Sequence, residues 1–432
     1  MKRLEPAEAA QLLRPVDSFA VPLGPGQPPA LLHALSERDD FEQLVVFGAL
    51  LLGLYPLFSR RGVVLYTGFM GPAERALRDA GHDVRFVPGD FRRFAGMVEQ
   101  LAPRVMATAV APPGPDGRFS LALHAGATVE ALQRCGRDPQ RVLIAEQNAE
   151  LPRTLGLPPE HRHSLAPEEI DVLLESGRPP AVLPEEEPSE VERAIAAHAQ
   201  SFVPDRATLQ TGIGGVPNAV AALLAHGSGG GYGIHSEMFT TGLMQLHQAG
   251  KVDNRSKGIY DGFSVCTFAL GSQELHRWLH EREEVRFLPV QLVNDPSVIA
   301  RNRRMVSING ALSIDLAGQV VADTIEGRQH SGIGGHEDFV AGASLERDDH
   351  SLVCLPATAR VGERLISRIQ SRLPRGSIVT TPRHQLDVVI TEYGAAELRG
   401  RSDAERAEAL AAVAHPAVRE ALLSGEDDVS VE

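Results

Sequence analysis

Two open α/β domains with mixed or parallel sheets are the architecture this sequence predicts, and three observations predict it. Short apolar, β-branched runs alternate with helical stretches along nearly the whole chain, the pattern of strands covered on both faces. The length of 432 residues exceeds what a single hydrophobic core usually reaches. A proline- and glutamate-rich stretch at 178–200, RPPAVLPEEEPSEVERAIAAHAQ, separates two segments of the same α/β character. The boundary falls near residue 187, giving domains of 1–187 and 188–432.

In the first segment the periodicity predicts helices at 6–14 and 28–37 around a strand at 17–23. Strands follow near 62–67, 82–87, 104–110 and 141–146, with helices between them. The most apolar run, 44–58, is about 15 residues long and falls short of the ~20 needed to cross a bilayer, so it is read as a buried strand or helix. Ser189 and Glu192 have the S-x-x-E spacing of a capping box, which starts a helix there. Next, ATLQTGIGGVPNAVAALLAHG (207–227) reads as strand, glycine turn and helix. EVRFLPVQLV (284–293), MVSINGALSID (305–315), SLVCLPA (351–357) and LDVVITEYG (386–394) read as strands. The stretches 21–35 and 209–224 share a strand, a G-x-G turn, a proline and an apolar helix. Two related halves would explain this, and so would the general frequency of strand–glycine–helix units.

Composition narrows the function classes. Hydrophobic residues at 43% and charged residues at 23% are ordinary globular values. A net charge of −14 repels polyanions and anionic lipid surfaces, so neither nucleic acid nor a membrane is expected as partner. The three lysines, Lys2, Lys251 and Lys257, do not lie in G-x-x-x-x-G-K-[ST], which excludes a Walker-type phosphate loop and disfavours Schiff-base chemistry. Cys135, Cys266 and Cys354 are far apart in apolar surroundings and read as reduced core thiols. The first residues form an amphipathic pattern containing acids, unlike a signal peptide, and with the thiols this points to the cytoplasm.

The glycines and acids carry the chemical signal. Gly212, Gly214 and Gly215 stand between a strand and a helix, where bare backbone N–H groups can meet a ligand or an oxyanion. Pro217 occupies the place of the third glycine in a dinucleotide fingerprint, so that reading fails. A second turn contains Gly332, Gly334 and Gly335, followed by His336, Glu337 and Asp338. Adjacent spacing converges poorly on an ion, and no metal is expected. No serine lies in G-x-S-x-G. That leaves carboxylate chemistry, with Glu237 in GYGIHSEMFTTG (231–242) flanked by small and apolar residues. Spacing alone favours a solvated surface glutamate.

Several ordered motifs add a resemblance. LQTGIGGVPNAV (209–220), GIHSEMFTTG (233–242), LVNDPSVI (292–299), NRRMVSINGALSIDLAGQVVAD (302–323), SGIGGHEDFVAGA (331–343), TTPRHQLDVVITEYGAAELRGRSDAERAEAL (380–410) and AHPAVREALL (414–423) resemble the C-terminal half of the acetyl-CoA hydrolase/transferase family. That family includes 4-hydroxybutyrate, butyrate and succinate:acetate CoA-transferases. APPGPDGRFSL (111–121) and IAEQNAELPRTLG (144–156) extend the resemblance into the N-terminal half.

The resemblance implies a CoA-transferase-like (NagB/RpiA-like) fold with the active site at the domain interface. It implies that Glu237 attacks an acyl-CoA thioester, forming a mixed anhydride and then a glutamyl-CoA thioester. It further suggests Asn294 and the Gly335 amide as oxyanion donors, with Gln210, Gly212 and Gly214 facing the acyl group. Gly332, Gly334, Arg360, Gly24 and Gly26 are the remaining candidates for contact with substrate or CoA. Asn294 before Asp295-Pro296 also fits an Asx turn, and Arg360 also fits a solvated arginine. Glu392, Tyr393 and Gly394 are expected as wall or packing residues, and His235 as a structural neighbour of Glu237. Coenzyme A as acyl-CoA, a small carboxylic acid such as acetate, and a homodimer or homotetramer are the implied partners. Water as acceptor would make the enzyme a hydrolase, and a silent CoA- or sugar-phosphate-binding sensor is the reading from another class. The chain departs from the family at 151–165, which lacks the MPRTHG pattern, and 38–100 is only loosely similar; both put the acceptor in doubt.

Overall fold

The computed structural model describes every residue except 186, 344, 345, 427–429 and 432. Residue 186 of the proline-rich stretch therefore lies outside the described residues. The chain divides into two compact units: Met1–Pro184 with Val265–Asn294, and Glu185–Ser264 with Asp295–Glu432. The segment 265–294 thus packs with the N-terminal part of the chain.

The first unit is built on an eight-stranded sheet. Its strands are β1 (Lys2–Arg3), β2 (Val16–Ala20), β3 (Gln43–Gly48), β4 (Val63–Thr67), β5 (Val84–Phe86), β6 (Val105–Val110), β7 (Val142–Asn148) and β8 (Val172–Ser176). They stand in the order β1-β8-β7-β6-β2-β3-β4-β5, with every neighbouring pair parallel. Burial on both faces explains why β6 is apolar or small at nearly every position and buried throughout. Leu31, Leu32 and Leu35 of α1 (Pro29–Ser36) pack with Leu44, Val46, Leu65 and Leu174 in the core. Each fully buried leucine contributes roughly 1.5–3 kcal/mol.

The apolar run 44–58 becomes β3 followed by a loop and the 3-10 turn Pro56–Ser59, with Leu51, Tyr55, Leu57 and Phe58 buried. Among the described residues, no helix is long and apolar enough to cross a membrane. The helix expected at 6–14 spans only Pro6–Ala10. Its continuation tightens into i→i+3 bonds from Leu12 to Ala9 and Leu13 to Ala10, because Pro15 disfavours a helical Arg14. The run 284–293 is half strand and half helix: Val285–Phe287 is extended, whereas Val290–Val293 turns helical after Pro289.

The second unit carries a six-stranded sheet of β9 (Thr208–Thr211), β10 (Gly233–Ile234), β11 (Met305–Gly310), β12 (His350–Cys354), β13 (Val388–Thr391) and β14 (Gly394–Glu397). The order is β10-β9-β11-β12-β13-β14, parallel except for the last hairpin. Helix α2 (Glu190–Gln200) begins with the expected capping box: Ser189 Oγ accepts the Glu192 N–H, and Glu192 Oε2 accepts the Ser189 N–H at 2.8 Å. Helix α3 (Gly215–His226) follows β9 through the glycine turn. Ile314, Val353, Leu355, Ile369, Val389 and Leu410 belong to this unit's core. Cys135, Cys266 and Cys354 are all buried free thiols.

Candidate active site

Glu237 is delivered to the carboxyl end of the second sheet by pairing that the chain makes just before it. Leu209 of β9 lies opposite Ile234 of β10 in parallel register, and the His235 N–H extends the ladder to Leu209 O at 3.1 Å. Ser236 is then locked onto the last residue of β9, donating from Oγ to Thr211 O at 3.1 Å and accepting the Thr211 N–H at 3.4 Å. The next residue, Glu237, is half-buried in a bend beside the β9 turn. Helix α4 (Thr241–Gln248) fixes the far side of the bend, capped by Thr240 Oγ1 accepting the Leu243 N–H at 3.4 Å. In parallel α/β sheets the carboxyl ends of the strands are where ligands bind.

The second glycine turn comes to the same place. Gly334 has φ +57°, and a Cβ built there would lie 3.9 Å from Glu237 Oε1. Helix α5 (His336–Gly342) starts after this turn, its first internal bond running from the Phe339 N–H to Gly335 O at 3.0 Å. The N–H groups of Gly334 and Gly335 stand ahead of that ladder. His336 bonds Thr381 Oγ1 at 2.8 Å, and Thr381 Oγ1 in turn donates to Glu337 Oε1. Burial pushes the His336 imidazole down to about 4, so it is neutral at pH 7. His336 and Glu337 therefore share a threonine that pins the helix start. The His235 ring lies 6.3 Å from both Tyr260 (stacked) and Phe339 of α5 (edge-on), a packing role beside Glu237.

Other candidates occupy different surroundings. A Cβ at Gly212 or Gly214 would meet open space, and Gly214 at φ +118° is a conformation that only glycine adopts easily. Gly215 differs: a Cβ there would stand 2.0 Å from Glu192 Oε1. Gln210 is buried on β9, and its Oε1 accepts from Asn309 Nδ2 at 3.3 Å. Arg360 is exposed on the hairpin Thr358–Val361/Arg364–Ser367. Gly332 leads into the turn at Gly334. Asn294 is wholly buried at the end of the first unit, and its N–H bonds Val290 O at 2.8 Å. The Asx-type bond next to it belongs to Asp295, whose Oδ1 accepts the Ser297 N–H at 2.8 Å. Gly24 and Gly26, also in the first unit, form a 3-10 turn after β2, and both are buried. A Cβ at Gly26 would be 2.2 Å from the ring of His124, which fills that space.

One neighbour, Asn309, is not singled out by the sequence, whereas Glu392 is found in the packing role expected of it. Asn309, at the end of β11, was hidden in an apolar strand whose only hint was a polar residue before a glycine. Glu392 Oε2 accepts the Ala357 N–H at 2.8 Å and so ties the ends of β12 and β13 together. In the first unit, a cleft of about 720 Å³ is lined by parts of both family-like motifs there, including Pro113, Pro115, Leu151 and Arg153, with His276 of a neighbouring helix.

Comparison with known proteins decides the family. Over 422 residues, 97% of this chain and 93% of the other, the sequence is 32% identical to the succinyl-CoA:cyclohexane-1-carboxylate CoA transferase of Geobacter metallireducens. The chain belongs to the acetyl-CoA hydrolase/transferase family. Residues 271–425 match that family's model of the acetyl-CoA hydrolase/transferase C-terminal domain. The 4-hydroxybutyrate coenzyme A transferase of Clostridium kluyveri is 39% identical over 284 residues, 66% of this chain and 64% of that protein's own length. Among solved structures, RipA from Yersinia pestis superposes with a TM-score of 0.88 at 31% identity, covering 98% of this chain and 96% of RipA.

Proposed function

We propose that this protein is a CoA-transferase that moves CoA between a short-chain acyl-CoA and a small carboxylic acid, with Glu237 as the nucleophile. One observation supports the reading: the Glu237 carboxylate lies beside the Gly334 turn, its Oε1 3.9 Å from where a Cβ on Gly334 would stand, so the bare glycine leaves the carboxylate room on that side. Glu237 oxygen attacks the thioester carbonyl, the C–S bond breaks, and CoA leaves as thiolate with an acyl-glutamyl anhydride formed. The thiolate attacks the glutamyl carbonyl and expels the first carboxylate, leaving a glutamyl-CoA thioester. A second carboxylate reverses both steps. Covalent catalysis of this kind divides one difficult exchange into easier ones.

The N–H of Gly335 and the side-chain amide of Asn294 are the assigned oxyanion donors, worth about 3 kcal/mol each in comparable sites. Gln210, Gly212, Gly214 and Gly332 are assigned to the acyl and pantetheine side, and Arg360 to a CoA phosphate. Gly24 and Gly26 are assigned to contact with substrate or CoA. Acceptors of the acetate, butyrate or 4-hydroxybutyrate type suit the names carried by relatives.

The second reading, acyl-CoA hydrolase, follows from the family's own double description and uses the same glutamate with water as acceptor. Incubation with acetyl-CoA and labelled acetate separates the two: label entering acetyl-CoA marks transfer, and acetate-independent CoA release marks hydrolysis. Hydroxylamine or borohydride trapping followed by peptide mass mapping should place the adduct on Glu237, and Glu237→Ala should abolish it. An adduct elsewhere, or full turnover by Glu237→Ala, refutes the assignment.

A further inference from the structure

Lys257 is one of three lysines in the chain and is wholly buried, a costly position for an ammonium unless its donors are met. Its Nζ donates to Ile234 O at 2.8 Å and to Phe263 O at 2.6 Å. Ile234 belongs to β10, the edge strand of the second sheet, and among the described residues no strand pairs with its outer side, where only an isolated bridge joins Tyr232 to Val252. Side chains replace that strand. Asn254 Oδ1 accepts the Ile234 N–H at 2.9 Å, while Lys257 serves the Ile234 carbonyl.

The backbone accommodates this bracket in two ways. Gly233 leaves the space through which the lysine stem passes, since a Cβ there would stand 2.3 Å from Lys257 Cγ. The segment 254–262 coils tightly enough to reach back, with positive φ at Asn254, Gly258, Tyr260 and Gly262 and the Gly262 N–H on Asn254 O at 2.8 Å. Lys257 O in turn accepts the Arg303 N–H at 2.7 Å, tying the bracket to the chain that enters β11. From the same segment, Tyr260 stacks on His235. The bracket therefore grips residues 233–235 on consecutive positions, immediately before Ser236 and Glu237.

We propose that Lys257 is a positioning residue for Glu237, holding the edge strand at the register that delivers the carboxylate to the Gly334 turn. The inference rests on the reading of Glu237 as nucleophile. An apolar side chain of equal length would fill the volume but leave the buried Ile234 carbonyl and the Phe263 carbonyl without this donor, and the strand end would be free to shift. Displacing a reacting group by about 1 Å costs on the order of 10²-fold in rate.

The test uses the full chain, Lys257→Met and Gly233→Ala, the latter keeping the ammonium while its methyl displaces the stem. Quenched-flow mass spectrometry follows the rate at which acyl-CoA forms the Glu237 adduct, and thermal unfolding gives the folded fraction. Expected for either variant is a fall on the order of 10²-fold in adduct formation per folded molecule, with half-saturating acyl-CoA changed by less than about 3-fold. If Lys257→Met does not fold, Gly233→Ala decides. A lowered unfolding midpoint with a wild-type rate per folded molecule overturns the inference and leaves the nucleophile reading standing. Absence of any adduct on Glu237 in the wild type overturns both.

Discussion

Replacing Gly334 separates the stability of the second glycine turn from its role beside Glu237. The position has φ +57°, so an L-residue there incurs roughly 1–2 kcal/mol of conformational cost, and less if it is asparagine, which tolerates the left-handed region. No clash adds to this, because the new Cβ would sit 3.9 Å from Glu237 Oε1, an ordinary contact distance. The fold should survive. Chemistry should not, since an attacked carbonyl carbon must come within about 3–3.5 Å of the carboxylate oxygen, in the space the methyl takes. Gly334→Ala and Gly334→Asn should therefore rank oppositely in two assays. In urea unfolding, Asn should be the more stable of the two. In single-turnover acyl transfer to Glu237, both should lose on the order of 10²-fold or more, with Asn the slower because it is larger. If activity follows stability, or if Gly334→Ala transfers at the wild-type rate, the acyl group does not occupy this space and the site reading is wrong.

Two further predictions concern stability. His336 has a folded pKa of about 4, below its ordinary value of 6.5, because burial disfavours its charged form. Its contribution is therefore complete above pH 6.5 and is lost as the pH falls toward 4, where unfolded chains take up a proton that the folded ones refuse, a total on the order of 3 kcal/mol. The stability advantage of wild type over His336→Asn should shrink by about 2 kcal/mol between pH 7.5 and pH 5 in urea titrations, and a constant difference would contradict the burial argument. Gly26→Ala forces a methyl to 2.2 Å from the His124 ring, which is buried and held by Thr108 Oγ1 at 2.9 Å, so a loss of about 1–3 kcal/mol is expected and an unchanged unfolding midpoint would show that the ring can move.

Local chemistry made part of this legible in advance. The helix at Ser189 follows from a bond between residues three apart, and β6 and the first half of β7 follow from apolar or small runs; both are properties of short windows. Residues 290–293 read as strand in sequence but are helical, because Pro289 is compatible with both an extended end and a helix start and only the local bond pattern separates them. The position of Glu237 is different in kind. Within its own window it fits a surface acid, and what places it is the Ser236–Thr211 lock and the approach of a turn almost a hundred residues later. Family resemblance pointed to the glutamate, but no window contained the Lys257 bracket, whose parts are meaningful only once β10 is known to be an edge strand.

The third glycine of G-I-G-G shows how two distant stretches constrain each other. The Glu192 carboxylate that closes the start of α2 occupies the volume a side chain on residue 215 would need. A substituent at 215 would push the flexible end of Glu192 aside and break its bond to the Ser189 N–H. Gly215→Ala should therefore cost the helix start its capping bond rather than clash with a fixed wall, so two stretches that belong to separate motifs are coupled through one carboxylate.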